Sequence, residues 1–249
     1  MKHVTFLGTG GAFTIDNYHT NFVVWDDKTP DLMLLVDCGS DIRRSLSEAG
    51  ITHRQIEAVY ISHLHDDHCG GLEWLGFISF FDPDTNTPTL LSPDGIDIWE
   101  KLKPSMEWVD GRRNELSDYF FPCSSHNFML RGDRFEAVPL VHISSDRERE
   151  IMSYGLRFEL NGTRIFWTSD VSMEHEKNLP AHYSWADIIF HDCEIGYDSH
   201  VHSTYERLCG LGSGVKKKMW LCHYQDGDLP DAVSDGFAGF VEKGRDFSF

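Results

Sequence analysis

Short apolar runs bounded by turn residues recur along the whole chain. HVTFLG (3–8), NFVVW (21–25), LMLLVD (32–37), EAVYISH (57–63), RFEAVPLVH (134–142), YGLRFEL (154–160), RIFWTSD (164–170), ADIIFHD (186–192) and KMWLCH (218–223) each have the length and side-chain content of a strand. Asn161-Gly162 separates two of them, and that dipeptide is the signature of a tight hairpin turn. Two segments carry helix signals instead. Ser40 followed by DIRRSLSEAG places Ile42, Leu46 and Ala49 on one side, with Ser40 as the expected cap and Gly50 as the stop. LEWLGFISFF, opening after Gly70-Gly71, puts Trp74, Phe77 and Phe81 at helical spacing on one apolar face. Strands dominate and helices are interspersed, which predicts a mixed α/β class, two sheets with helices on their outer faces.

The apolar runs share a second property. Several of them carry, at or next to their end, a residue able to bind a metal: His63, His142, Asp170, His191 and His223. Strand ends gathered at one rim are where side chains from distant sequence converge. The densest stretch, ISHLHDDHCGG, sets three histidines and two aspartates within positions 63–68. His63 and His65, two apart on extended chain, point the same way and can grip one ion. Asp67 and His68, at the start of the next helix, offer donors for a second. Neutral imidazole and ionised carboxylate are ligands that a borderline divalent ion such as zinc accepts. Both ions need donors from elsewhere. His142 is the candidate to complete the first, His223 the second, and Asp170 could bridge the pair. Asp67 could also orient or deprotonate the attacking water. Zinc is the expected metal, with manganese or iron as the other candidates.

Composition narrows the partners. The chain has 249 residues, 41% hydrophobic and 25% charged, enough for one sizeable globular domain. Forty acids against 22 bases give a net charge of −18, which repels long nucleic acids. Lys216–Lys218 and Arg43-Arg44 are the bunched bases and read as solvated ends of elements. Residues 1–20 lack a basic start followed by an apolar stretch, and no membrane-length apolar run occurs, so a cytoplasmic protein is expected. The six cysteines form no C-x-x-C pair and read as reduced thiols.

His63-Leu64-His65-Asp66-Asp67-His68, followed by His142, then Thr168-Ser169-Asp170, then Cys222-His223, resembles the signature of the metallo-β-lactamase superfamily. VTFLGTGGA near the start and VDCG at 36–39 resemble further strands of that family. The resemblance implies an αββα sandwich over residues 1–249, with pseudo-symmetric halves of about 1–125 and 126–249. It implies that Asp37 supports a ligand histidine from behind. Asp170 stands where the best-known true β-lactamases carry cysteine. His65 stands where flavodiiron proteins carry glutamate. Only 26 residues follow His223, too few for the helical domain of glyoxalase-like thioesterases.

The branch that remains is the phosphodiesterase group typified by RNase Z. HVHSTYERL (200–208) resembles its H-S-T motif, which implies that His202 protonates the leaving oxygen, with Asp192 or Glu194 to orient it; Ser203 could instead cap the next helix. His191 is the rival ligand. Only 28 positions separate His142 from Asp170, so the tRNA-gripping arm of bacterial RNase Z is missing. Among arm-less members the start LGTGGAF and the closing GFAGFVEKGRDFSF most resemble anti-Pycsar cyclic-nucleotide phosphodiesterases. That likeness implies two divalent ions, a small cyclic nucleotide as substrate, and a homodimer. Trp74 and Tyr205 are the candidate base contacts, with Phe77, Phe80, Phe81 and Tyr197 as further aromatics. The competing expectations are a tRNA 3′-end endonuclease, a binder that sequesters a nucleotide, and a lactonase or organophosphate hydrolase.

Overall fold

The computed structural model describes residues 1–145 and 149–249. Its backbone falls into two compact units. One comprises Met1–Gly8, Tyr18–His126 and Lys243–Ser248, the other Thr9–Asn17, Asn127–Glu242 and Phe249.

The first unit holds a seven-stranded sheet in the order Asp246–Ser248, Lys2–Gly8, Asn21–Asp26, Met33–Val36, Ile56–Tyr60, Thr89–Ser92, Phe121–Ser124. Pairing is antiparallel as far as Met33–Val36 and parallel beyond it. Val36, Ala58, Val59 and Tyr60 are fully buried on both faces, as near-continuous apolar runs in parallel strands require. Helices Ile42–Glu48, Leu72–Phe81 and Ile98–Met106 supply Ile42, Leu46, Leu72, Leu75, Leu102 and Met106 to the core on one side of this sheet.

The second unit repeats the plan. Its sheet runs Gly239–Phe240, Met219–Cys222, Ile188–Asp192, Thr163–Trp167, Arg149–Leu160, Asp133–Ser145, Asn127–Leu130. An antiparallel meander is again followed by parallel strands. Leu179–Trp185 and Tyr205–Cys209 are the helices that pack on it, through Leu179, Tyr183, Tyr205 and Leu208. The mixed α/β class with two large mixed sheets is therefore the one the sequence predicts.

Local signals fare unevenly. Asn161 (φ 49°) and Gly162 (φ 88°) both adopt the left-handed region that a two-residue hairpin turn needs. Gly50, at φ 71°, ends the first helix as expected. Ser40, however, is not its cap: the helix starts after Asp41, and neither side chain caps the helix N-terminus. Asp41 instead accepts a hydrogen bond from the His19 backbone N–H, which draws it away from the helix. The helix after the cluster is broken in two, Asp66–Cys69 and Leu72–Phe81.

Candidate metal centre

In both units the candidate side chains lie beyond the carboxyl ends of parallel strands, with one exception, His142. This is where open α/β sheets place ligands. In the first unit, Ile56–Tyr60 leads into Ser62, His63 and His65. The Asp37-Cys38-Gly39 turn locks the cluster from behind. The Cys38 N–H donates to the His68 carbonyl at 2.7 Å, the Ser40 N–H to the Asp66 carbonyl at 3.2 Å, and the Gly71 N–H to the Cys38 carbonyl at 2.8 Å. Gly39 is required here, because a Cβ would run into the Asp67 carbonyl and the His19 imidazole. Asn21, which sequence reasoning passed over, accepts from the Gly39 N–H at 2.9 Å.

Asp37 is the hub of this half. Fully buried, with φ 60°, it accepts from the Ser62 N–H and hydroxyl, both at 2.8 Å, and from His68 Nδ1 at 2.5 Å. Burial pushes its carboxyl up from the ordinary range, against the pull of the His68 imidazole. Ser62, donating to Asp37, accepts in turn from His63 Nδ1 at 3.1 Å. Two imidazoles thus have Nδ1 engaged and Nε2 presented. His68 Nε2 stands 3.1 Å from an Asp67 oxygen, and His63 Nε2 stands 3.1 Å from His65 Nδ1.

The second unit does the same with different supports. His142 does not end its strand, which runs on to Ser145; it sits where the register against Arg149–Leu160 shifts between Val141 and Ile143. A bulge re-aims its side chain, which a regular ladder would not do. Its Nδ1 donates to the Val201 carbonyl at 2.9 Å, and its Nε2 lies 3.7 Å from an Asp170 oxygen. Asp170 follows Thr163–Trp167 by three residues, after Ser169 at φ 53°. His223 directly follows Met219–Cys222, itself at φ 63°, with Nδ1 3.3 Å from Asp192 and Nε2 3.4 Å from Asp170. Three supports of the site, Asp37, Ser169 and His223, thus hold a backbone conformation that non-glycine residues avoid.

Asp192 organises this unit as Asp37 does the other. It accepts from the Val171 N–H at 3.0 Å and from His202 Nδ1 at 2.9 Å. Burial would raise its carboxyl, but the His202 and His223 imidazoles outweigh that and hold it down to about 2. Reciprocally, burial works against a charged His202, yet Asp192 and Asp170 overcome it and raise the imidazole. The carboxylate on His202 Nδ1 is thus that of Asp192; Glu194 accepts from the Ser199 N–H and hydroxyl, in the loop that leads to His202. Ser203 donates to the Val171 carbonyl, while Thr204 caps the following helix. His191 is not a ligand candidate: its Nδ1 donates to the Asp192 carbonyl and its Nε2 accepts from the Tyr183 hydroxyl at 2.6 Å.

The donors fit a divalent ion. Two ligands each about 2.0–2.1 Å from a tetrahedral ion stand about 3.3 Å apart. The within-unit spacings of 3.1, 3.1, 3.4 and 3.7 Å bracket that distance. A hydrogen bond on one ring nitrogen fixes the tautomer that leaves a lone pair on the other.

The candidate base contacts separate. Tyr205 is buried, donates to Asp235 at 2.7 Å and packs beside Phe237 and Phe240, so it is a packing residue with no free face for a base. Trp74 packs, half-buried, against the core of the first unit, as do Phe77 and Phe80. Phe81 and Tyr197 are exposed.

The family model described as anti-Pycsar protein Apyc1 matches residues 2–247. The chain belongs to the anti-Pycsar Apyc1 family. A member of it from Paenibacillus harenae is 30% identical over 231 residues, covering 90% of each chain. Among solved structures, the metallo-β-lactamase fold protein YhfI from Bacillus subtilis superposes with a TM-score of 0.75 at 17% identity, covering 99% of this chain and 98% of that one. A diphosphatase of the PhnP family gives 0.73 at 20% identity, covering 100% and 98%. This member of the Apyc1 family therefore has the metallo-β-lactamase fold.

Proposed function

We propose that this chain hydrolyses small cyclic mononucleotides to nucleoside monophosphates, with two divalent ions held by His63, His65, Asp67, His68, His142, Asp170 and His223. Family membership and the donor set support the class, a metal-dependent phosphodiesterase. The observation that carries the proposal is the arrangement of the imidazoles. His63, His68 and His142 each have Nδ1 hydrogen-bonded to a fixed partner, His223 sets Nδ1 3.3 Å from Asp192, and for the last three Nε2 faces a carboxylate. Histidines placed for packing alone do not require so uniform a tautomer. Zinc is the ion that imidazole and carboxylate suit best. Bound there, two such ions would neutralise the phosphoryl oxygens and acidify a water molecule.

The remaining chemistry belongs to His202. Its side chain keeps 16% of its exposure, against 1% for His142 and 5% for His223, so of these three it is the histidine open to a substrate. Asp192 holds Nδ1, which leaves Nε2 to deliver a proton to the departing ribose oxygen. The raised pKa, caused by Asp192 and Asp170 against the effect of burial, favours keeping that proton on the ring. A positioned general acid accelerates such a step about 10²–10⁴-fold. The net charge of −18 disfavours long polyanions and leaves a single phosphodiester as the better guest.

The test is a panel of 3′,5′-cyclic purine and pyrimidine mononucleotides, cyclic dinucleotides and a precursor tRNA, with products separated by chromatography and His65→Ala as control. Metal-dependent linear monophosphate from the cyclic mononucleotides, absent in the control, is expected. Faster cleavage of precursor tRNA, or depletion of ligand without product, would overturn the reading.

A further inference from the structure

Phe13 and Ile15 are the two most exposed large apolar residues among those described, at 90% and 91%. They sit two positions apart on Gly10–Asn17, in the second unit. Such a pair leaves apolar surface in water that burial would stabilise by about 1.5–3 kcal/mol per side chain. Floppy loops tolerate this; the present one is tied at almost every position. Gly10 forms a bridge with Tyr224, whose carbonyl accepts from the Gly11 N–H at 3.3 Å. The Thr14 N–H and hydroxyl both return to the Gly11 carbonyl. The Ile15 and Asp16 N–H groups donate to one Asp226 oxygen, at 2.6 and 3.2 Å. Asn17 donates to the Thr9 hydroxyl, which donates to that of Tyr224. The loop is thus hinged on Tyr224 and Asp226, the residues that follow candidate ligand His223. Gly11 lies against that imidazole, since a Cβ there would stand 3.4 Å from its Cε1.

We infer that Phe13, with Ile15 beside it, is the stacking platform for the base of the nucleotide. This rests on the phosphodiesterase reading. Two residues of chain span at most about 7 Å, so the Phe13 backbone stays within that distance of Gly11 and its ring reaches further. A base separated from its phosphate by one ribose falls in the same range. Fixing the loop's backbone removes the ordering cost that a mobile platform would impose on binding. Because every base offers a π-face, a phenylalanine platform recognises a nucleobase without selecting one.

The experiment compares wild type, Phe13→Ala, Phe13→Trp and Phe13→Ala/Ile15→Ala on a 3′,5′-cyclic nucleotide and on ribose 3,5-cyclic phosphate, which lacks the base. Stacking worth about 1–3 kcal/mol corresponds to a KM rise of roughly 5- to 150-fold. That rise, at unchanged kcat, is expected for both alanine variants on the nucleotide alone, with Phe13→Trp restoring it. Equal effects on both substrates, or none, overturn the inference. Quenching of the added indole of Phe13→Trp by a nucleoside monophosphate, relative to wild type, reads the platform without turnover. An inactive wild type with this quenching would sink the enzymatic reading and keep the platform; absent quenching sinks the platform itself. Conversion of a wild-type dimer to monomer in the double variant, with KM unchanged, would assign the two side chains to a second copy and overturn the proposal.

Discussion

Asp37→Asn separates metal support from folding. The carboxylate accepts three hydrogen bonds, from the Ser62 N–H, the Ser62 hydroxyl and His68 Nδ1. An asparagine of the same shape can still accept from the Ser62 N–H with its oxygen. Its amide then faces the Ser62 oxygen and His68 Nδ1 as a donor, so His68 must accept through Nδ1. That moves the ring proton to Nε2, the nitrogen now turned toward Asp67. The bonds are all remade once the Ser62 hydroxyl turns its proton to His63 Nδ1, so folding of the metal-free protein should lose no more than about 1 kcal/mol. The lone pair on Nε2 is lost, which should weaken metal binding about 10–100-fold. A charge effect favours the variant when no metal is bound. Burial raises the Asp37 carboxyl, so its contribution to stability is present below the ordinary carboxylate pKa and is lost as pH rises through the raised one. Asparagine carries no such penalty at neutral pH. Chelator competition followed by elemental analysis gives the affinity; a thermal melt in chelator gives the stability. Unchanged metal affinity together with a collapsed melting temperature would refute this account of Asp37.

Other expectations follow the same logic. His202→Ala should lower kcat on a cyclic nucleotide about 10²–10⁴-fold but barely affect a p-nitrophenyl phosphodiester, whose leaving group needs no proton; equal losses on both would remove the general-acid role. Tyr183→Phe leaves His191 Nε2 without its donor in a buried setting, which should cost about 1–3 kcal/mol and lower Tm by several degrees at unchanged metal content. Burial depresses the His191 imidazole, so the stability it contributes above the ordinary histidine pKa is lost as pH falls below it; in chelator, His191→Gln should flatten the wild-type decline in Tm below about pH 6.5. Arg164 holds Asp187 down to about 2, so that pair should contribute above the ordinary carboxylate pKa and be lost as pH falls toward 2. With both side chains more than two-fifths exposed, the salt-sensitive difference for Asp187→Asn should stay below about 1 kcal/mol.

Strand cores were legible because Met33–Val36, Ile56–Tyr60 and Met219–Cys222 are mostly apolar runs that end abruptly in polar chemistry. The candidate donors stood out for the same reason, since histidines and aspartates so dense at strand ends have few other uses. Short edge elements were missed. Phe121–Ser124 and Asn127–Leu130 at sheet edges, and Thr89–Ser92 beside an edge, mix polar residues into four positions and so show neither an apolar run nor a period. Ile98–Met106 was missed as well, although Asp97 caps it, because Pro104 lies inside. The first helix starts after Asp41 rather than Ser40, and the alternative of Ser203 as a cap gives way to Thr204, because the Ser203 hydroxyl donates to the Val171 carbonyl. Tyr205 misled because an aromatic beside a motif residue can face the core. Nothing in a linear pattern announces left-handed backbone at Asp37, Ser169 and His223, which is imposed by what those turns must bring together.

The one-residue offset at His142 acts as a phase break in a long two-stranded ribbon. Chain on the inner side of it keeps the parity the core demands, while chain on the outer side is released from that parity. Residues could be added beyond Ser145, in matched pairs, without rotating the imidazole. The length of such a ribbon is therefore set independently of the side chain presented at its base.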